Sequence, residues 1–235
     1  MRKPVVDYRE LRLSRLNEPR FSHLKLLGGW IIYFALYFLT ENLIPVERCH
    51  VIHSRLDDLI PFTEGFLIIY CYWYLLIVAS LLWFLLYDIR SFRNLQIFIM
   101  IVQALAMIIY IFWPSVQMLR PESFERDNFL TRAMAFVYSF DTPTGVFPSL
   151  HVSYSIGIAS SWCHRKGGSK LWKAFMILSA VMISLSTAFV KQHSVLDIFG
   201  AIPICLIAEY SVFGNTRLHR WIEGKEEPHK EEPQY

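Results

Sequence analysis

His193 and Asp197 stand four residues apart in the run STAFVKQHSVLDIFGAI, residues 186–202. On a helix that spacing puts both on one face. A carboxylate there can hold the imidazole Nδ1–H and leave Nε2 free, which is how an activated histidine is built. A His–Asp pair kept only for structure is the competing reading, and burying titratable groups for that purpose is energetically poor. A second stretch, FDTPTGVFPSLHVS, puts Asp141, two prolines and Gly145 in a loop and begins a helix at Pro148-Ser149. Ser149 is a candidate N-cap, and the amides at such a helix start favour an anion. His151 then falls in the first turn, unless it is incidental to a capping motif. A third, LRPESF, carries Arg120-Pro121. The planar guanidinium suits a phosphate or carboxylate, although a lone interfacial Arg touching lipid headgroups has the same appearance.

Lys191 lies two residues before His193. In an extended link, i and i+2 point the same way, so Lys191 would share the target of His193. If a helix begins before it, the two side chains diverge and Lys191 is an interfacial anchor. A cation, a helix start bearing a His, and an Asp-supported His together suit a tetrahedral phosphate. No HExxH, no paired-carboxylate site and no G-x-S-x-G elbow is present, which argues against zinc-protease and serine-hydrolase chemistry.

These groups must be positioned by membrane elements. Of the 235 residues 54% are hydrophobic, in blocks long enough to cross a bilayer. The expected class is all-α and polytopic. Six spans in one bundle are expected near 26–44, 65–87, 95–114, 149–164, 171–190 and 194–213. The fourth is short and contains five serines, so it faces other helices or is re-entrant. Residues 1–25 read as a polar, basic cytoplasmic segment with VVDYRELRLSRL either an interfacial helix or a solvated tail. Residues 214–235 read as a disordered tail, and 26–213 as the membrane domain.

Seventeen of the 23 Lys and Arg residues fall on the side of the termini, and six on the other. The positive-inside rule then puts both termini in the cytoplasm and the three polar stretches outside. The net charge of +3 follows from this topology and signals no nucleic-acid partner. The four cysteines offer no external disulfide pair. No Asp, Glu, His or Cys cluster has metal-ligand spacing, and Asp57-Asp58 reads as solvated. No metal or cofactor is expected.

At these residues the chain resembles the type-2 phosphatidic acid phosphatase superfamily, whose motifs are K-x6-R-P, P-S-G-H and S-R-x5-H-x3-D. The first survives as Arg120-Pro121 and the second as Pro148-Ser149-Leu150-His151. The third is Ser186-Thr187, five residues, His193, three residues, Asp197. The order, spacings and six-span layout agree over residues 26–213. Trp113 stands where the family has its first Lys, Thr187 where the third motif has Arg, and Leu150 where the second has Gly. The P-S-L-H form also resembles the inositol phosphorylceramide synthase branch.

The resemblance implies a membrane phosphatase hydrolysing a phosphatidate-like or isoprenoid (pyro)phosphate at the extracytoplasmic face. His193 would be the nucleophile that becomes phosphohistidine, Asp197 its orienting partner and His151 the acid and then base. Arg120, Lys191 and the helix start at Ser149 and Leu150 would hold the phosphate. A lipid phosphotransferase using an alcohol, or a non-catalytic lipid-binding or transport protein, are the other readings. Compact size and short loops resemble bacterial members, which implies a plasma membrane.

Overall fold

With no water to satisfy it, a backbone in hydrocarbon must bond to itself, and an apolar chain meets that demand as helices. A computed structural model describes residues 3–214 and 217–222. It is 70% helical with almost no strand. The helices are α1 (Gly28–Leu43), α2 (Arg55–Leu59), α3 (Phe66–Tyr87), α4 (Ile89–Phe112), α5 (Phe129–Phe140), α6 (Leu150–His164), α7 (Lys170–Phe189), α8 (Val195–Phe213) and α9 (Arg217–Ile222). Two short parallel strands, β1 (His50–Val51) and β2 (Ser115–Val116), tie two loops together at one end.

Among the described residues five helices are long and apolar enough to cross a membrane: Ser22–Leu43, Phe66–Tyr87, Ile89–Phe112, Lys170–Phe189 and Val195–Phe213. Their outward faces are apolar. Ile68, Leu75, Val78 and Leu82 of α3 are exposed, as are Phe199, Ile202, Leu206 and Ile207 of α8. Such stripes are a liability in water and the natural surface toward lipid. The chain is a multi-pass membrane protein.

The expected fourth span differs from the other five. α6 has 15 residues, about 22 Å at 1.5 Å per residue, against roughly 30 Å of hydrocarbon. It packs against α3, α4, α7 and α8 and buries Ser153, Ser155 and Ser161. Several of its polar atoms find protein partners, although Ser161 Oγ has none among the described residues. Ser153 and Ser155 hydroxyls donate to carbonyls one turn back, at 2.8 and 2.7 Å. Tyr154 Oη accepts from Gln103 at 2.8 Å, and Trp162 Nε1 donates to Ser80 at 3.2 Å. Gly157 lets α6 and α4 approach: a Cβ there would lie 2.5 Å from Phe98 Cδ1. Gly157→Ala therefore overpacks this contact and should cost about 1–3 kcal/mol. A lowered thermal midpoint in detergent checks it, and an unchanged midpoint contradicts it.

The amino-terminal segment forms no continuous α-helix among the described residues. It forms three 3-10 helices, Tyr8–Glu10, Leu13–Arg15 and Ser22–Leu27, folded against the α3–α4 connection. Val5 N donates to Leu86 O and Tyr8 Oη to Leu85 O, both at 2.8 Å. Phe21 is fully buried. Part of the expected disordered tail is also ordered, since Arg217–Ile222 is helical and contacts α8 and α4. Residues 223–235 lie outside the described residues.

α3 and α4 are joined through Asp88 alone. It caps α4 by accepting from Ser91 N and pairs with Arg165 Nε, each at 3.1 Å. The amino-terminal segment thus lies at the α3–α4 turn. The carboxyl ends of α4 and α7 and the amino ends of α6 and α8 gather at the other end.

Candidate functional site

The end of α7 folds into a cap that delivers His193. Gln192 N donates to Thr187 O and Lys191 N to Ala188 O, at 3.0 and 3.1 Å. With Lys191 left-handed at φ 53°, this is the Schellman pattern. His193 N also returns to Thr187 O at 3.1 Å. Ser194 then caps α8 in a box with Asp197, so the turn after the cap fixes His193 against the first turn of α8.

Asp197 is fully buried. Its Oδ2 accepts from Ser194 N at 2.9 Å and lies 3.1 Å from His193 Nδ1. An ionised carboxylate only accepts, so Nδ1 carries the proton and Nε2 presents its lone pair. His193 Nε2 stands 3.4 Å from Nδ1 of His151. His193 lies in the turn before α8 rather than on its face, yet Asp197, His193 and His151 still follow one another in hydrogen-bonding contact.

His151 sits in the first turn of α6, in an aromatic wall. Its ring is 4.3 Å from Trp73 and 4.8 Å from Tyr70, centroid to centroid. Its Nε2 has no hydrogen-bond partner among the described residues. Ser149 caps α6, accepting from Val152 N at 3.4 Å, and its own amide donates to Asp197 O at 3.1 Å. The cap thus stitches α6 to α8 at the level of the histidines.

The loop before Ser149 is held by β2 and α4. Ser115 Oγ accepts from Val146 N and Phe147 N at 3.1 and 3.0 Å, and Tyr110 Oη donates to Pro148 O at 2.7 Å. Gly145 has φ 61°, a conformation glycine adopts freely. The histidines open onto a cavity of about 510 Å³ lined by α1, α3 and this loop, including Trp30, Tyr33, Tyr37, Trp73, Leu150 and Asp141.

No family model, curated protein or solved structure matches this chain.

Three charged groups lie differently from the sequence expectation. Lys191 is turned away from the histidines. Its positive φ reverses the chain, so the extended link needed to align it with His193 does not form. The ammonium instead donates to the carbonyls of Asp57 and Ile60, at 2.7 and 2.5 Å, and burial pushes its pKa down against the opposing pull of Asp57 and Asp58. Arg120 does not line the cavity. Its guanidinium donates to Tyr138 O, Thr142 O and Gln192 Oε1 at 3.1, 3.3 and 2.7 Å and stacks on the Tyr138 ring. Burial pushes it down in pKa, with Asp141 opposing.

Asp57 is buried rather than solvated. It accepts from Ser54 N, Ser194 Oγ and Val195 N at 2.7, 2.6 and 2.8 Å, tying the first outer loop to the start of α8. Asp58 pairs instead with His53 Nε2 at 2.8 Å.

Two further residues join the site without having been singled out. Asp141, taken in the sequence only as a loop marker, accepts from Gln192 Nε2 at 3.0 Å and Tyr70 Oη at 3.5 Å, both through Oδ2. Burial raises its pKa, opposed by His193 and Arg120. Gln192 bridges Arg120 to Asp141. Its only sequence signal is adjacency to His193. No group of three or more His, Cys, Asp or Glu able to hold a metal ion occurs among the described residues.

The cap geometry makes Lys191 a stability residue with a separable signature. Lys191→Ala loses two charge-assisted bonds, about 1.5–3 kcal/mol, and keeps the left-handed strain. Lys191→Gly loses the same bonds and relieves that strain, about 1 kcal/mol. Thermal midpoints should therefore fall in the order wild type, Lys191→Gly, Lys191→Ala. Equal midpoints for the two variants would refute the cap assignment.

Proposed function

We propose that this protein is a membrane-embedded hydrolase of a lipid phosphate ester, working through a phosphohistidine and related to the type-2 phosphatidic acid phosphatases. The observation that carries the reading is the line Asp197–His193–His151 at the head of an apolar, aromatic-lined cavity. A nucleophile, its orienting carboxylate and a second imidazole within proton-transfer reach are the parts such chemistry needs.

His193 Nε2 attacks phosphorus as the bond from phosphorus to the leaving oxygen breaks. His151, as its imidazolium, gives that oxygen the proton on Nδ1 and is left a neutral imidazole. Asp197 stabilises the cationic imidazole as the P–N bond forms. His151, now neutral at Nδ1, takes a proton from water. The hydroxide oxygen bonds to phosphorus and the P–N bond breaks, which restores His193. The first-turn amides of α6, at Leu150 and His151, supply donors for the phosphoryl oxygens. Arg120 acts on this site through Gln192 and Asp141.

We further read α6 as a sixth, shortened span within one bundle, with both termini cytoplasmic and the histidines at the outer face. The 17-to-6 charge split supports this orientation, as does the position of the amino-terminal segment at the end opposite the histidines. The second reading, transfer to an alcohol rather than to water, is favoured by the commitment of Lys191 and Arg120 to protein acceptors. Fewer cations at phosphorus suit a less charged diester.

The test is a panel of lipid phosphate esters given to purified protein in detergent, with and without an added alcohol. Release into water supports the hydrolase, and product only with the alcohol supports the transferase. Inertness throughout contradicts both and leaves a lipid-binding protein.

A further inference from the structure

The cavity in front of the histidines has an unusual charge. Among the described residues lining it there is no Lys or Arg, and there is one carboxylate, Asp141. A second, Glu41 at the end of α1, stands behind it and accepts from the Thr142 hydroxyl. Asp197 adds a third on the far side of His193. Against these stands Arg120, which does not line the cavity, whose Nη1 and Nη2 go to Tyr138, Thr142 and Gln192, and whose Nε is buried without a partner among the described residues. A phosphate monoester, close to doubly charged, would enter next to Asp141 with little to offset the repulsion.

The walls have the complementary chemistry. Tyr33, Tyr37, Trp73, Tyr74 and Tyr110 line the same space as Asp141. Aromatic faces attract cations, and rings closed around a carboxylate are the usual means of holding a quaternary ammonium. Among the described residues the hydrogen bonds to Asp141 from Gln192 and Tyr70 both fall on Oδ2, so its recognition capacity is not used up by the loop. His151 lines the same cavity, and its Nε2 is buried without a partner among the described residues.

We propose that the substrate is a zwitterionic lipid phosphodiester, its phosphorus at His193 and its alkylammonium headgroup at Asp141 among the aromatic rings. This rests on the phosphohistidine reading and gives it a substrate class. The headgroup's own cation supplies the charge that a basic residue would otherwise provide. In the step itself, the P–O bond to the lipid alcohol breaks as the bond to His193 Nε2 forms, and His151 protonates the leaving lipid oxygen. Water or an alcohol then takes the headgroup phosphate from the histidine.

The experiment gives full-length protein, in maltoside micelles, phosphatidylcholine, phosphatidylglycerol and phosphatidic acid with identical chains. Phosphatidylcholine should be turned over at least tenfold better, in kcat/KM, than either of the others. Asp141→Asn should lower the choline-to-glycerol ratio at least tenfold, and Asp141→Glu, which keeps the charge, should retain the preference. Phosphatidylglycerol or phosphatidic acid matching phosphatidylcholine on wild-type protein overturns the proposal, whatever the variants do. Binding of dihexanoyl phosphatidylcholine against dihexanoyl phosphatidylglycerol, followed by tryptophan fluorescence, separates the two levels. Preference for the choline lipid without turnover of any lipid defeats the hydrolase reading and keeps the ammonium site. Turnover with no preference does the reverse.

Discussion

His193→Ala leaves no turnover of a lipid phosphate ester above the background of the micelles. The nucleophile is the group without which no covalent intermediate forms, and removing such a group costs on the order of 10⁴–10⁶ in kcat. The loss must not come from unfolding. Asp197 keeps Ser194 N at 2.9 Å after the ring is gone, and Ser194 still caps α8. Binding of the lipid should persist, because the cavity wall is built from α1 and α3. Measured side by side, His193→Ala should show an unchanged elution profile, near-normal lipid binding and no product. Turnover within a hundredfold of wild type would mean that another group attacks phosphorus.

His151→Ala should lose roughly 10²–10⁴ on a lipid ester, the usual worth of a positioned proton donor. The effect depends on the leaving group. A lipid alcohol leaves as a strongly basic alkoxide unless it is protonated, whereas a nitrophenolate leaves unaided. A nitrophenyl phosphate ester should therefore be cleaved by His151→Ala within about tenfold of wild type in its burst phase. Dephosphorylation, where His151 activates water, stays slow, so a burst followed by a stalled steady state is the expected trace. A ring missing between Trp73 and Tyr70 also leaves a hole. His151→Gln fills most of it and should show the same leaving-group dependence. An equal loss on both substrates would assign His151 to packing.

The line of three residues was legible because each member sits on or next to a helix start with its own signal. Ser149 is a capping residue, and Asp197, three residues after the cap Ser194, reaches back over the start of α8 to His193 in the preceding turn. The apolar blocks were legible for a similar reason, since length and hydropathy alone identify five of them. α6 was harder. Ser153 and Ser155 bond to the preceding turn and Gly157 packs on Phe98, so the helix belongs to the interior and has no continuous apolar signature.

What was not legible depends on long-range contact. Lys191 looked like a missing phosphate cation because the link was taken as extended. A left-handed residue at the end of α7 reverses it, and nothing in VKQH marks that turn, since glycine is the residue usually found there. Asp57 looked solvated because its partners, Ser194 and Val195, lie far along the chain. α5 was passed over within a long loop, although Asn128 and Thr131 form a capping box at its start. Leu130, Met134, Val137 and Tyr138 of α5 pack with Leu67, Tyr70 and Val190, contacts far apart in the chain.

The central claim is a covalent bond between phosphorus and His193. The most direct measurement is mass spectrometry of protein quenched in base during turnover of a nitrophenyl phosphate ester, since a P–N bond survives alkali and is lost in acid. His151→Gln, slow in the second step, should accumulate the species. The account predicts one added phosphoryl group, removed by acid, on the peptide containing His193 and absent from His193→Ala. A phosphoryl group on another residue, or turnover with no covalent species even in His151→Gln, would contradict it.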